Sequence, residues 1–229
     1  LSHSQNLIEM PDLSGVPHLR EINLEGCTKI VRIDPSIGIL RELVSLNLKN
    51  CKSLFLNLNI IVGLSSLKVL ILSGCSKLLN NRLLQKPRET EHMENIDENR
   101  SSIQLSTSSV YEMLMLPFYF FYSWKQEESL GLLVPYLSRF PCLFLLDLSF
   151  CNLFQIPDAI GNLHSLVCLN LGGNKFVTLP TTIKKLPKLE HLNLEHCKQL
   201  KYFPELPTPK KRKNGKYYGG LNTFNCPNL

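Results

Sequence analysis

Two histidines and a cysteine crowd one short stretch, His191, His196 and Cys197, and imidazole beside thiolate is zinc-binding chemistry. A structural zinc needs four ligands, and no fourth falls at zinc spacing, so no metal is expected. A serine hydrolase would need a nucleophile elbow of the Gly-x-Ser-x-Gly kind, and none is present. A phosphate loop, Gly-x-x-x-x-Gly-Lys-Ser/Thr, is absent as well, so nucleotide binding is not assigned to these residues. Neither a cofactor nor catalysis is expected, and the chain reads as a non-enzyme.

The cysteines carry a different message. Five of the eight, Cys27, Cys51, Cys75, Cys151 and Cys197, close the same phrase, Leu-x-x-Leu-x-Leu-x-x-Cys, and Asn174 closes it a sixth time. The phrase starts at Leu19, Leu43, Leu67, Leu143, Leu166 and Leu189, with spacings of 24 residues between the first three and 23 between the last three. A fixed period of this length marks a stacked repeat architecture.

Each position in the phrase has a physical reason. The x-Leu-x-Leu-x core alternates with period two, so it predicts a short strand with one apolar face. Burying about three large side chains yields roughly 1.5–3 kcal/mol each. Ordering a whole repeat costs about 1–2 kcal/mol per residue in backbone entropy. One repeat therefore cannot fold alone, and stacked copies must share a continuous core. At the ninth position, where the chain leaves the strand and turns inward, a small polar side chain can bond backbone groups that the turn would otherwise bury unpaired. The amide of Asn174 can do this fully; a thiol does it weakly. The second half of each unit, such as Ile156-Pro157-Asp158-Ala159-Ile160-Gly161-Asn162-Leu163, returns the chain along the far side, with proline fixing φ and Ile and Leu pointing back inward.

This pattern predicts an α/β solenoid: a horseshoe with a short parallel sheet on its concave face and irregular, 3-10 or short helical segments on its convex face. Length alone would allow one or two ordinary domains, but the repeats argue for one elongated array. A hydrophobic content of 44% is ample for a core. Of the net charge of +6, five positive charges fall within 210–216, namely Lys210, Lys211, Arg212, Lys213 and Lys216. The rest is near neutral, so a broad nucleic-acid surface is not indicated. Lys210, Lys211, Arg212 and Lys213 match a short nuclear-import pattern; a solvated loop is the plainer reading. Ladder cysteines should lie about 5 Å apart, the strand spacing, which would permit disulfides. Reduced thiols packed in the array are the favoured reading, because the repeat already explains their spacing.

Along the chain, residues 1–79 are expected to hold repeats, 80–129 an irregular and partly disordered insert, 130–207 further repeats, and 208–229 a basic tail and the start of a post-repeat region. Within the insert, Met93, Ile96 and Ile103 suggest a degenerate repeat. Its aromatic run, Met113 to Trp124, contains Pro117 and is too short to span a bilayer. Leu221 to Cys226 reads either as one more strand or as the opening of another domain. The chain begins mid-repeat without Met and is expected to be a fragment. Its one glycosylation sequon, Asn99-Arg100-Ser101, leans towards the cytosol.

The phrases Leu-Asn-Leu-Glu-Gly-Cys, with Ile22 in the leading place, Leu-Ile-Leu-Ser-Gly-Cys (70–75), Leu-Asp-Leu-Ser-Phe-Cys (146–151) and Leu-Asn-Leu-Glu-His-Cys (192–197) resemble the leucine-rich-repeat region of plant intracellular immune receptors. More narrowly, the likeness is to the class with a Toll/interleukin-receptor domain and a central nucleotide-binding domain. Lys198-Gln199-Leu200 followed by Pro204-Glu205-Leu206-Pro207 resembles the end of the array in that class, and Tyr218-Gly219-Gly220-Leu221 and Phe224-Asn225-Cys226-Pro227 resemble the start of its post-repeat region. The resemblance implies a cytoplasmic, in part nuclear, receptor that senses pathogen effectors and restrains defence signalling through these repeats. The alternative is the ectodomain of a cell-surface repeat receptor or an inhibitor-like binding protein.

Strand residues that point away from the core would form the binding face for a protein partner: a pathogen effector, a guarded host protein, or the receptor's own nucleotide-binding domain. They are Asn23, Asn47, Ile71, Asp147, Asn170 and Asn193, flanked by Glu21, Lys49, Phe150, His191, Glu195 and His196. Taken singly, each could be no more than a rung of a solvated polar ladder. Ile71 and Phe150 are the least comfortable in water. Neither nucleic acid nor membrane is expected as a partner.

Overall fold

The computed structural model describes residues 1–56, 58–61, 63–77, 139–202, 204–207 and 220–229. All lie in one compact unit, Leu1–Asn81 with Glu128–Leu229; the second unit, Arg82–Glu127, falls wholly outside the described residues.

Seven three-residue strands form one parallel sheet in chain order: β1 Glu21–Asn23, β2 Ser45–Asn47, β3 Val69–Ile71, β4 Leu145–Asp147, β5 Cys168–Asn170, β6 His191–Asn193 and β7 Gly220–Asn222. The register never slips. Leu46 pairs with Ile22 and Leu70, Leu146 with Leu70 and Leu169, and Leu192 with Leu169 and Leu221. A one-residue slip would turn every leucine into water, which is why the alternation fixes the register. Leu24, Leu48 and Leu72 are fully buried in a single apolar core that also takes in Ile37, Leu64, Leu166 and Phe176.

Short 3-10 helices return the chain on the far side, at Pro35–Ile39, Leu58–Ile61, Asp158–Asn162 and Thr181–Lys185. Asp34 starts the first by accepting from Ser36 N at 2.8 Å, and Pro35 follows with φ already set. The coils touch closely there. A Cβ added to Gly161 would meet Thr182 O at 2.6 Å, so only glycine lets these two turns stack.

Most informative is the joint between β3 and β4. Although 145 follows 71 by more than seventy residues, the two coils join as neighbours. Leu72 N–H donates to Asp147 O at 2.8 Å, and the buried hydroxyls of Ser73 and Ser149 lie 2.7 Å apart. β3 and β4 pair directly. Met93, Ile96 and Ile103, the expected degenerate repeat, lie outside the described residues, as does the rest of the insert. At the far end β7 pairs with β6, the first of the two readings of Leu221 to Cys226.

Candidate functional site

The ladder residues hold the coils together from inside. Cys51, Cys75 and Cys151 each donate Sγ–H to a backbone carbonyl of the coil before: Leu24 O at 3.1 Å, Leu48 O at 3.0 Å and Leu72 O at 3.1 Å. Cys27 does the same to Leu1 O and Cys197 to Leu171 O. Cys226 adds a rung that the nine-residue phrase misses, donating to Leu194 O at 3.0 Å. Asn174 reaches further. Its Nδ2 donates to Leu148 O and Leu171 O at 2.9 and 2.7 Å, and its Oδ1 accepts from Cys151 N and Leu153 N at 3.2 and 3.0 Å. All eight cysteines are free thiols, so strand spacing here has produced no cross-link. Burial pushes the thiols of Cys51 and Cys151 up to about 12 and raises Cys75 and Cys197 as well. Thiols that keep their protons are poor nucleophiles at neutral pH. Among the described residues no group of three or more His, Cys, Asp or Glu could hold a metal.

The open face of the sheet presents the residues between the leucines. Its central column runs Asn23, Asn47, Ile71, Asp147, Asn170, Asn193 and then Asn222. The polar side chains in this column are partly committed. Oδ1 of Asn23, Asn47, Asp147, Asn170, Asn193 and Asn222 accepts from the backbone N–H two residues on, at 2.9–3.1 Å. Each thereby fixes the turn that follows its strand. The amide nitrogens remain for lateral contacts: Asn47 Nδ2 donates to Glu25 Oε2 at 3.3 Å and Asn222 Nδ2 to Glu195 Oε2 at 3.5 Å. Glu25 also meets Lys49 Nζ at 3.1 Å, which lowers its carboxyl pKa. Ile71 cannot make the turn bond, and its side chain is only half exposed, so it is less of an intruder in water than the sequence implied.

Lys49, Phe150, Glu195 and His196 need correcting as face residues. All four sit in the turn that follows a strand rather than on the strand itself. Phe150 has φ of 54°, in the left-handed region, where Gly26, Gly74 and Gly173 occur in other coils. Its ring is 55% exposed and lies 6.4 Å from the ring of His196, which in turn meets Phe224 edge-on at 5.9 Å. Glu21 and His191 do occupy the first strand position, and both are exposed.

Sequence reasoning missed the apolar centre of the face. Val69, Leu145 and Cys168 align in adjoining strands and are half exposed, and Phe144, just before β4, is 45% exposed. Aligning the repeats one residue ahead of the strand would have revealed it. Polar residues surround this centre at both ends of the sheet. Lys210, Lys211, Arg212 and Lys213 lie outside the described residues. No helix among the described residues is long and apolar enough to cross a membrane.

A register-locked parallel sheet, 3-10 returns and an internal Cys/Asn ladder define a leucine-rich-repeat solenoid, and a leucine-rich-repeat family model matches residues 141–198. In fold the chain is similar to the leucine-rich repeat domain of the type III effector XopL, with a TM-score of 0.56 at 19% identity over 97% of this chain and 58% of that one. Curated relatives narrow the class. The chain is 34% identical over 82% of its length to "Disease resistance-like protein DSC1" of Arabidopsis thaliana, and 26% identical over 90% to "TMV resistance protein N" of Nicotiana glutinosa. It is 32% identical over 91% to "Disease resistance protein RPS6" of Arabidopsis thaliana. The chain belongs with the leucine-rich-repeat regions of plant disease resistance proteins. It spans only 15%, 24% and 17% of these three relatives' lengths.

Proposed function

We propose that this chain is the non-enzymatic recognition module of a plant disease resistance receptor. Its open face receives a protein, either a pathogen effector or a guarded host protein. Until then the module keeps the receptor inactive by resting against the receptor's nucleotide-binding domain. The observation that carries the reading is the apolar centre of that face, Phe144 with Val69, Ile71 and Leu145, set on a rigid sheet and ringed by polar side chains. An apolar centre, exposed at Phe144 and half-buried at the other three, within a polar rim is the anatomy of a protein contact. Asn23, Asn47, Asp147, Asn170, Asn193, Glu21, Glu195 and His191 would supply that rim.

Action in the cytoplasm, with Lys210 to Lys213 directing import to the nucleus, belongs to the same reading, since eight free thiols suit a reducing compartment. The test is site-specific photo-crosslinking in the full-length receptor in challenged plant tissue. A probe at Phe144 should trap a protein, and one at Lys184 on the 3-10 side should not. Equal trapping at both positions, or none at Phe144, defeats the proposal.

A further inference from the structure

Past the ladder residue the chain turns down the side of the stack, and at both ends of the array its backbone there pairs with the coil before. Val31 N–H donates to Ile8 O at 2.9 Å, Phe55 N–H to Val31 O at 3.0 Å, and Lys201 N–H to Val177 O at 2.9 Å. Glu9–Arg32 and Thr178–Tyr202 form parallel bridges in the same row. Side chains of this flank stand outside the core, and solubility alone would make them polar. Three or four residues after the ladder position the coils instead carry Val31, Phe55, Phe154 and Val177, and Ile8 precedes them in the row. Ile8 is 59%, Phe154 52% and Val177 44% exposed.

Charge accompanies this row. Lys29, Lys52, Lys77, Lys175 and Lys198 each follow a ladder residue by one or two positions, and all are exposed. Two of them lie over the row's aromatic rings, Lys77 Nζ 5.6 Å from the Phe55 centroid and Lys175 Nζ 5.4 Å from that of Phe154. Across 6–9, 28–34, 52–55, 76–77, 152–155, 175–178 and 198–202 the acids are Glu9 and Asp34 alone, and Asp34 is spent on Ser36 N. Ile8, Phe154 and Val177 exposed beside the half-buried Val31 and Phe55 mark a contact surface, and its lysines, Lys201 included, select an acidic occupant.

We propose that this flank is a second docking surface, distinct from the open face, and that its occupant is an acidic segment of a partner protein. Aliphatic or aromatic side chains of that segment cover Phe154 and Val177 while its carboxylates meet Lys175 and Lys198. The aliphatic members, Ile8, Val31 and Val177, offer nothing for a nucleic-acid base to stack on, which favours protein.

The probe is a short labelled peptide in which glutamate alternates with leucine, followed by fluorescence anisotropy. The basic tail is present in every variant, so differences between variants report the flank. Phe154→Ser with Val177→Ser, and separately Lys175→Glu with Lys198→Glu, should each weaken binding about tenfold, while Lys184→Ser on the 3-10 side leaves it unchanged. All five positions are exposed, and an unchanged thermal midpoint confirms that the variants fold. Equal peptide binding by every variant, no binding at all, or tighter capture of heparin or of phosphatidylserine vesicles with the same variant pattern would overturn the proposal.

Discussion

The ring of Phe150 fills the space that a Cβ on Gly173 would need. The same relation links His3 to Gly26 and Asn50 to Gly74. From His3 to Gly173 the left-handed positions therefore alternate large and small, each side chain lying over the glycine of the next coil. Gly173 itself has φ of 67°, so Gly173→Ala meets both a steric and a backbone penalty. It should destabilise by about 2–4 kcal/mol. Phe150→Gly removes left-handed strain of about 1–3 kcal/mol at the loss of an exposed ring, and should stabilise slightly. The double variant should lose less than the sum of the singles, and urea denaturation of the four proteins checks it.

Leu169 and Asn170 are adjacent but belong to opposite faces. Leu169→Asp puts an unpaired carboxylate into the core and should unfold the neighbouring coils. Asn170→Asp should change stability by less than about 0.5 kcal/mol, because Asp147 already holds Ser149 N–H with the same geometry. Asn170→Ala should cost about 1 kcal/mol through the lost bond to Gly172 N. Far-ultraviolet circular dichroism with thermal melts separates the three; equal melting of the two Asn170 variants contradicts the turn role.

Asn174 bonds three carbonyls and two amides, whereas the Cys75 thiol bonds the single carbonyl of Leu48. Asn174→Ala should therefore cost about 3–5 kcal/mol, and Cys75→Ala about 1 kcal/mol. Chemical denaturation of both proteins gives the comparison directly.

Buried thiols make the fold sensitive to alkali. In the unfolded chain a cysteine loses its proton near pH 8.5, whereas Cys51 and Cys151 hold theirs to about 12. The folded state therefore binds more protons in that interval. Its stability should be complete below about pH 8.5 and decline steadily towards pH 12. Urea midpoints measured from pH 7 upward should fall, and the Cys51→Ala, Cys151→Ala double variant should flatten the decline. At neutral pH an alkylating reagent should label exposed Cys142 first and reach the ladder thiols only on unfolding.

The repeat spacing by itself determined the strands, their parallel order and the leucines that stack inside, because a period-two pattern restarted at a fixed interval has one way to bury its apolar face. The lone Asn174 among cysteines was legible too, as a rung with more bonding capacity. Only the tertiary structure showed that β3 docks on β4 across the long intervening stretch, since that contact rests on backbone bonds and on Ser73 meeting Ser149. It also decided the surfaces. Val69 meets Leu145 and Cys168, and Ile8, Val31 and Phe55 line a flank, through residues that lie a whole coil or more apart in the chain and are neighbours only once the coils are stacked.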